Sequence, residues 1–553
     1  MFKPFSMHMN NLLPLMFLMM MSACTGHKLE ADLILTNGTV YTVDDAFSTA
    51  EAVAIKDGRV EAVGSSKEIL GKYRAGEVTD LQGRFVYPGW IDAHCHFFGY
   101  GMNLSSVDLV GTTSAEEIIE KLKAEGSASS GGWITGRGWD QNDWEVKQFP
   151  DRRMLDAYFP DTPVLLRRID GHAAWVNTRA LEMAGITAAT RVEGGSVLLE
   201  GGEPTGILVD NAIGLVGRLI PPPTTEEVVN ALHRAEENCF AVGLTSVQDA
   251  GLDRSTVELI DSLYRAGSLR IRMNTWLSDT EENFEHFISK GPVQNDYLSV
   301  NTLKLFADGA LGSRGARMLE PYSDDPGNVG LYVTSVDALE AWCQKAYDHH
   351  FSVATHAIGD AGNRTILEIY GEILGGKNDR RWRIEHAQII APEDFHYFRD
   401  YSIVPSVQPT HATSDMYWAE ERIGPERMKG AYAYHTLLEQ NGWLADGSDF
   451  PVESINPLYG FYAAVARKDQ SGFPEGGFMP EESLSREEAL RAMTIWAAKA
   501  GFEEHLKGSV EPGKLADLVV TGTDLMTAPE DQLYSIRVEA TYSGGKLVYS
   551  GPE

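Results

Sequence analysis

The chain has 553 residues, 79 acidic against 47 basic side chains, and a formal net charge of -32. That charge disfavours nucleic acid and anionic membrane surfaces as partners, because phosphate contacts draw on Lys and Arg. With 43% hydrophobic and 10% aromatic residues the composition excludes a disordered chain, and the length calls for one large barrel with additions or for several domains.

Residues 1–23 read as an export signal. Lys3 precedes an apolar run, LLPLMFLMMMSA, that ends just before Cys24, which is the polarity order of a secretory leader. The run is too short to span a bilayer core of about 30 Å as a helix. Its S-A-C ending resembles a bacterial lipoprotein signal. Cys24 would then be the lipidated first residue, and the chain would sit in the bacterial cell envelope as an outer-membrane lipoprotein facing the periplasm. Plain cleavage and secretion is the alternative. No later stretch reads as a transmembrane helix. Cys95, Cys239 and Cys343 remain, an odd number without CxxC spacing, and make no disulfide framework.

From residue 30 to about 87 the pattern predicts short strands. ADLILTNGTVYTVD, EAVAIKDGRVEAVG and EVTDLQGRFVYPG are apolar or period-two runs punctuated by N-G, D-G and Q-G. The texture returns from about residue 505, in GSVEPGKLADLVVTG and IRVEATYSGGKLVYSG. These two ends predict one small sheet domain built from 30–87 and 505–553, since chain termini often lie close together. Strands and helices alternate between them. Strand candidates fall at 90–94, 242–250, 269–276, 302–309, 351–359, 380–388, 401–409 and 442–450, several of them separated by helices such as 224–241, 255–267 and 335–350. Eight strands with intervening helices predict an α/β fold, a closed parallel (β/α)8 TIM barrel over about 88–504 with its active site at the C-terminal strand ends. The 147 residues between the first two candidates predict a substrate-covering insertion, about 97–240. Within it GGSVLLEGGEPTG is glycine-rich but lacks phosphate-cradling spacing, so no nucleotide is implied.

His94 and His96 sit two apart in DAHCH, so on a strand both rings point to one face and Cys95 to the other. A strand-borne His-x-His suits a divalent ion; two chance histidines at a polar strand end are the plainer account. His356, His386 and Asp449 fall near the ends of three further strands, at the same predicted rim, and the set predicts a metal site. Lys304 in TLKLFADG lies on a strand with apolar residues on both faces, where a charged amine is costly to desolvate and would repel metal ions. Reaction with carbon dioxide would turn it into a carbamate whose two oxygens bridge two ions. Pairing with an acid, or an outward orientation, is the alternative.

Taken together, PGWIDAHCH, Lys304 in KLFADG, His356 in THAIGD, His386 in IEHAQ, Asp449 in GSDFPV and the closing EPGKLADLVV resemble the metal-dependent amidohydrolase superfamily. DGHAAWVN and LFADGALGSRGA narrow the resemblance to its amidohydrolase-3 group, which includes the YtcJ-like proteins and the N-substituted formamide deformylases, over roughly residues 30–550. The resemblance implies a barrel with a composite β-sandwich formed by both chain ends. It implies His94 and His96 on a more buried ion, His356 and His386 on a more exposed one, and Lys304 as an N6-carboxylysine bridging the two. Asp449 would touch the buried ion and handle protons. Two divalent ions, Zn2+ foremost, are the expectation, and one ion is the alternative. A metal-held hydroxide would attack an amide-type carbonyl while Asp449 takes up the proton and passes it to the departing amine. The partner implied is a small-molecule N-substituted amide or formamide. Cyclic imides, ureas, N-acyl amino acids and esters present a similar carbonyl, and a non-catalytic, lipid-anchored binding protein is the alternative of another class. A homodimer is compatible with each of these.

Asp170 and His172 in DGH, Trp139 and Asp140 in GRGWDQND, Arg314 in GSRGA and His411 in QPTH are the candidate substrate contacts. The resemblance brings DGH back to the active-site mouth, with His172 donating to a carbonyl oxygen as a catalytic residue. The plainer accounts are an internally bonded turn for DGH, core packing for Trp139 and a loop-bracing salt bridge for Arg314. Asp308 in FADG reads as a local turn or cap. Trp133, Trp139 and Trp144 would suit an aryl amide if they face the site.

Overall fold

A computed structural model describes residues 28–125 and 132–552. The leader and Cys24 lie outside the described residues. Among the described residues, no helix is long and apolar enough to cross a membrane.

All eight strand candidates of the middle region form strands, in chain order: Trp90–Cys95, Leu244–Leu252, Arg272–Leu277, Leu298–Phe306, Ser352–Ala357, Arg383–His386, Val404–Val407 and Ala445–Asp446. They are numbered barrel strands 1 to 8 below. Each pairs in parallel with the next. Strand 8 is short because the chain bends after Asp446, and this bend closes the barrel. Asp449 N donates to His94 O at 2.7 Å, and His96 N donates to Phe450 O at 2.8 Å. Gly447 permits the approach, since a Cβ there would stand 2.3 Å from His94 N.

Parallel strands covered by helices are buried on both faces, so their runs are apolar throughout. Strand 4 is buried from Leu298 to Leu305 but departs from the apolar run, carrying Ser299, Asn301, Thr302 and Lys304, the last at 1% exposure. The covering helices are amphipathic. Thr225–Ala241 starts at a Thr224 capping box with Glu227 and turns Val228, Leu232, Ala235 and Cys239 inward. Cys95, Cys239 and Cys343 are buried and unpaired.

The insertion builds a separate six-stranded sheet from Val107–Asp108, Ile134–Trp139, Val164–Arg168, Ala173–Val176, Gly195–Glu200 and Glu203–Asp210. GGSVLLEGGEPTG is the hairpin of its last two strands. Trp139 and Trp144 pack in the core on one face and Trp133 in the core on the other. At the chain ends, a four-stranded sheet comes from residues 29–80. A six-stranded sheet joins Thr39–Tyr41, Thr49–Ala50 and Phe85–Pro88 to Leu518–Thr521, Val538–Ser543 and Lys546–Ser550. The two ends meet where Val519 pairs with Tyr87.

Candidate active site

Barrel strands 1, 4, 5 and 6 and the bend after strand 8 deliver their polar side chains to one mouth. Alternation on strand 1 acts as its sequence predicts: His94 faces inward, and Cys95 joins the core beneath the covering helix. His96 follows at the strand end, where it precedes the helix Phe97–Asn103. Its Nε2 lies 3.1 Å from Asp449 Oδ1. His94 Nε2 lies 3.5 Å from the same oxygen and 3.5 Å from Lys304 Nζ. Ligand atoms of His94, His386 and Asp449 all fall within 4.8 Å of one another. The His356 ring centroid is 4.6 Å from that of His386. His386 and Asp449 both hold left-handed backbone, with φ of 73° and 61°. Such conformations cost about 1–3 kcal/mol each in residues with a Cβ and cluster where geometry serves a site.

The electrostatics suit ligation. Burial pushes His94 down to about 4 and holds His356 and His386 well below the ordinary imidazole range, so their nitrogen lone pairs are free at neutral pH. His94 Nδ1 contacts Glu385 Oε2, which leaves Nε2 for the interior. Glu385 is fixed in turn by Arg383 Nε at 2.6 Å and Ser406 Oγ at 2.7 Å. Burial works against its charge, yet Arg383 and His94 hold it down at about 2. Asp449 is likewise opposed by burial, and His96, His94 and His386 outweigh this to keep it ionised. Burial brings the Lys304 amine down to about 8. His386 Nδ1 is buried with no hydrogen-bond partner among the described residues. Inward imidazoles, one of them with an orphaned nitrogen, beside an ionised carboxylate fit a divalent metal.

The insertion contributes the opposite wall. His172 Nδ1 lies 2.6 Å from Asp210 Oδ1, and its ring centroid is 5.0 Å from that of His356. Burial works against protonation of His172, but Asp210 outweighs it and raises the pKa. Asp170 accepts from His172 N at 3.0 Å and from Arg168 NH1 at 2.5 Å, and Arg168 also holds Asp140. Both acids line the cavity while committed to Arg168. His411 Nε2 stands 3.8 Å from Asp449 Oδ2. The cavity of about 1250 Å³ is lined by His94, His96, Lys304, His356, His386 and Asp449 from the barrel, by Asp140, Asp170 and His172 from the insertion, and by His411.

Two expected contacts are corrected. Trp139 is not a cavity wall: it is fully buried in the insertion's core, with Nε1 donating to Leu166 O at 2.9 Å. Trp133 and Trp144 are buried as well, so the insertion's tryptophans supply no aryl pocket. Arg314 is not a substrate contact: it braces its loop through Asp324 at 2.8 Å. Asp308 accepts from the backbone N–H groups of Arg317, Ile358 and Gly359, so it ties its loop to the end of barrel strand 5, a long-range role in place of the local turn or cap read from FADG. Glu385, Asp210, Arg137 and Arg167 were missed. For Glu385 a signal exists in RIEH, since Arg383 and Glu385, two apart on a strand, share a face. For Asp210 only the fold brings it to His172.

A family model described as the amidohydrolase family matches residues 77–549. The chain belongs to the amidohydrolase family, and it is a metal-dependent hydrolase acting on carbon-nitrogen bonds. The protein LONG AFTER FAR-RED 3 of Arabidopsis thaliana is 37% identical, over 94% of this chain and 92% of its own length. An N-substituted formamide deformylase of Arthrobacter pascens is 28% identical, over 94% of this chain and 98% of its own. The crystal structure of an uncharacterized metal-dependent hydrolase from Pyrococcus horikoshii OT3 is 30% identical and superposes with a TM-score of 0.73, over 90% of this chain and 99% of that one.

Proposed function

We propose that this chain hydrolyses a non-peptide amide-type bond in a small N-substituted amide or formamide. The observation that carries the reading is the convergence of His94, His386 and Asp449 ligand atoms within 4.8 Å, at the floor of a cavity large enough for a small molecule. The similarity to an N-substituted formamide deformylase supports the substrate class.

His94, His96, His356, His386 and Asp449, together with Lys304 as a carbamate, would hold two divalent ions, Zn2+ foremost. Ions held there supply Lewis acidity to a carbonyl oxygen and lower the pKa of water to about 7. Lys304 suits carbamate formation because its amine, brought down to about 8 by burial, has a substantial neutral fraction near neutral pH. That nitrogen bonds to the carbon of carbon dioxide and releases one proton. Asp449 takes the proton of the attacking water and returns it to the departing amine nitrogen. Asp210 holds Nδ1 of His172, so that Nε2 of the protonated ring can donate to the carbonyl oxygen as negative charge builds there. The insertion lines one wall of the cavity with Asp140, Asp170 and His172.

The reading is tested on protein purified without chelator and with bicarbonate present. Elemental mass spectrometry is expected to find close to two metal equivalents per chain. Asp449→Asn is expected to keep most of that metal and lower turnover of N-substituted formamides by at least about 100-fold, the usual scale of general acid-base catalysis. Unchanged turnover would remove Asp449 from its role, and metal-replete protein inactive on a broad amide panel would overturn the reading.

A further inference from the structure

Two arginines of the insertion face the cavity, and among the described residues neither has a carboxylate at ion-pair distance. Arg137 and Arg167 are paired residues on the parallel strands Ile134–Trp139 and Val164–Arg168, so their side chains leave the sheet on the same face. Both line the cavity. Arg137 donates from NH2 to Ile169 O at 2.8 Å, while its Nε is buried without a hydrogen-bond partner among the described residues. Arg167 sits against Gly217, where an added methyl would stand 3.6 Å from its NH2. Burial lowers the pKa of Arg167, and no nearby acid opposes the shift.

Arg137 and Arg167 are partly buried. Three fully buried arginines are matched by acids, while Arg467 is buried against the backbone carbonyls of Phe478 and Tyr432. Arg168 is held between Asp140 and Asp170, Arg272 pairs with Asp517 at 2.6 Å, and Arg383 pairs with Glu385 at 2.6 Å. A desolvated guanidinium without a counter-charge is costly, and natural folds neutralise it or retain it for a ligand. Two partly buried guanidinium groups side by side, neither in an ion pair, are a poor choice for stability alone in a chain with 79 acidic residues. The charges of Asp449 and Asp170 act on Arg137, which places Arg137 within electrostatic reach of the reacting centre. Ile213 and Val333 line the same cavity and provide apolar surface.

We infer that Arg137 and Arg167 form the subsite for a carboxylate on the substrate, so that the amide hydrolysed is an N-acyl amino acid or a similar carboxylate-bearing amide. This inference rests on the amide-hydrolase reading above. Guanidinium forks match the two oxygens of a carboxylate with parallel N–H donors. A singly charged group fits better than a dianion because Asp143 and Glu453 also line the cavity.

The test uses matched pairs of N-formyl and N-acetyl amino acids and the corresponding N-formyl and N-acetyl amines that lack only the carboxylate. Binding to the full metal-loaded protein is measured by calorimetry, and hydrolysis is measured in parallel. In the native protein the carboxylate member is expected to bind at least about 10-fold more tightly, an advantage that falls below about twofold in Arg167→Met and is partly kept in Arg167→Lys. Equal affinity within every pair would overturn the subsite, as would an advantage untouched by Arg167→Met. The native comparison needs no variant to fold. Arg-dependent preference without hydrolysis of any member would leave the subsite standing and sink the amide-hydrolase reading. Equal hydrolysis of both members without preference would do the reverse.

Discussion

At the residue scale, His94 owes its role to partners that hold it from behind. Its ring has Glu385 at Nδ1, and Glu385 is itself held by Arg383 and Ser406. Such outer contacts fix the tautomer and raise ligand basicity, and their loss typically costs 10 to 100-fold in metal affinity or activity. Glu385→Gln is therefore expected to weaken zinc binding by about 10 to 100-fold, read by competition with a chromogenic chelator. The inward face of His94 was legible from strand alternation, which is local, whereas His96 stands just past the strand end. Asp210 was not legible: it lies 38 residues from His172, and only the insertion's folding brings the carboxylate to 2.6 Å from the ring.

Two predictions belong to the elements. The junction of barrel strands 1 and 8 depends on Gly447, whose missing side chain lets Asp449 N reach His94 O. Gly447→Ala is expected to destabilise the fold by about 1–3 kcal/mol, the usual range for overpacking, and to lower metal content with it. Urea unfolding beside elemental analysis checks both. The second concerns Asp249 on barrel strand 2, which is fully buried and accepts from Phe98 N at 3.0 Å. Burial raises its pKa from 3.8 to about 7. A carboxyl raised on folding favours the native state below the unfolded pKa, and the advantage is lost as pH rises through the folded value. Between about pH 4 and 7 the native protein is thus expected to lose stability from this group, and Asp249→Asn to lose less over the same window. Parallel slopes of unfolding free energy against pH for the two proteins would contradict this. The eight strands were legible as apolar runs, but their ends were not. The candidate at 442–450 shrank to Ala445–Asp446, since the bend that follows is set by contact with strand 1.

For the whole molecule, the metal is expected to couple the barrel's opposite sides. The ligand candidates come from strands 1, 4, 5 and 6 and from the bend after strand 8, so an ion that binds only the native state stabilises the closed ring. Chelator treatment is expected to abolish hydrolysis and lower the Tm, with about 2.7 kcal/mol regained when free zinc reaches about 100 times its Kd. Differential scanning calorimetry during zinc titration measures this, and a Tm independent of zinc would contradict it. The terminal sheet joins the two chain ends through strand pairs such as Val519 with Tyr87, beside the strand that leads directly into His94.

The amino-acid sequence by itself determined the alternation of strands and helices, the inward histidines, the buried lysine and the family resemblance, because periodicity and residue spacing are local properties of the chain. Only the tertiary structure decided which polar groups meet. Trp139 reads as an aromatic wall and packs into a core, Arg314 reads as a ligand contact and braces a loop, and Arg137 and Arg167 become neighbours through strand register. The physical reason is that burial and ion pairing depend on elements far apart in the chain, and neither has a sequence period.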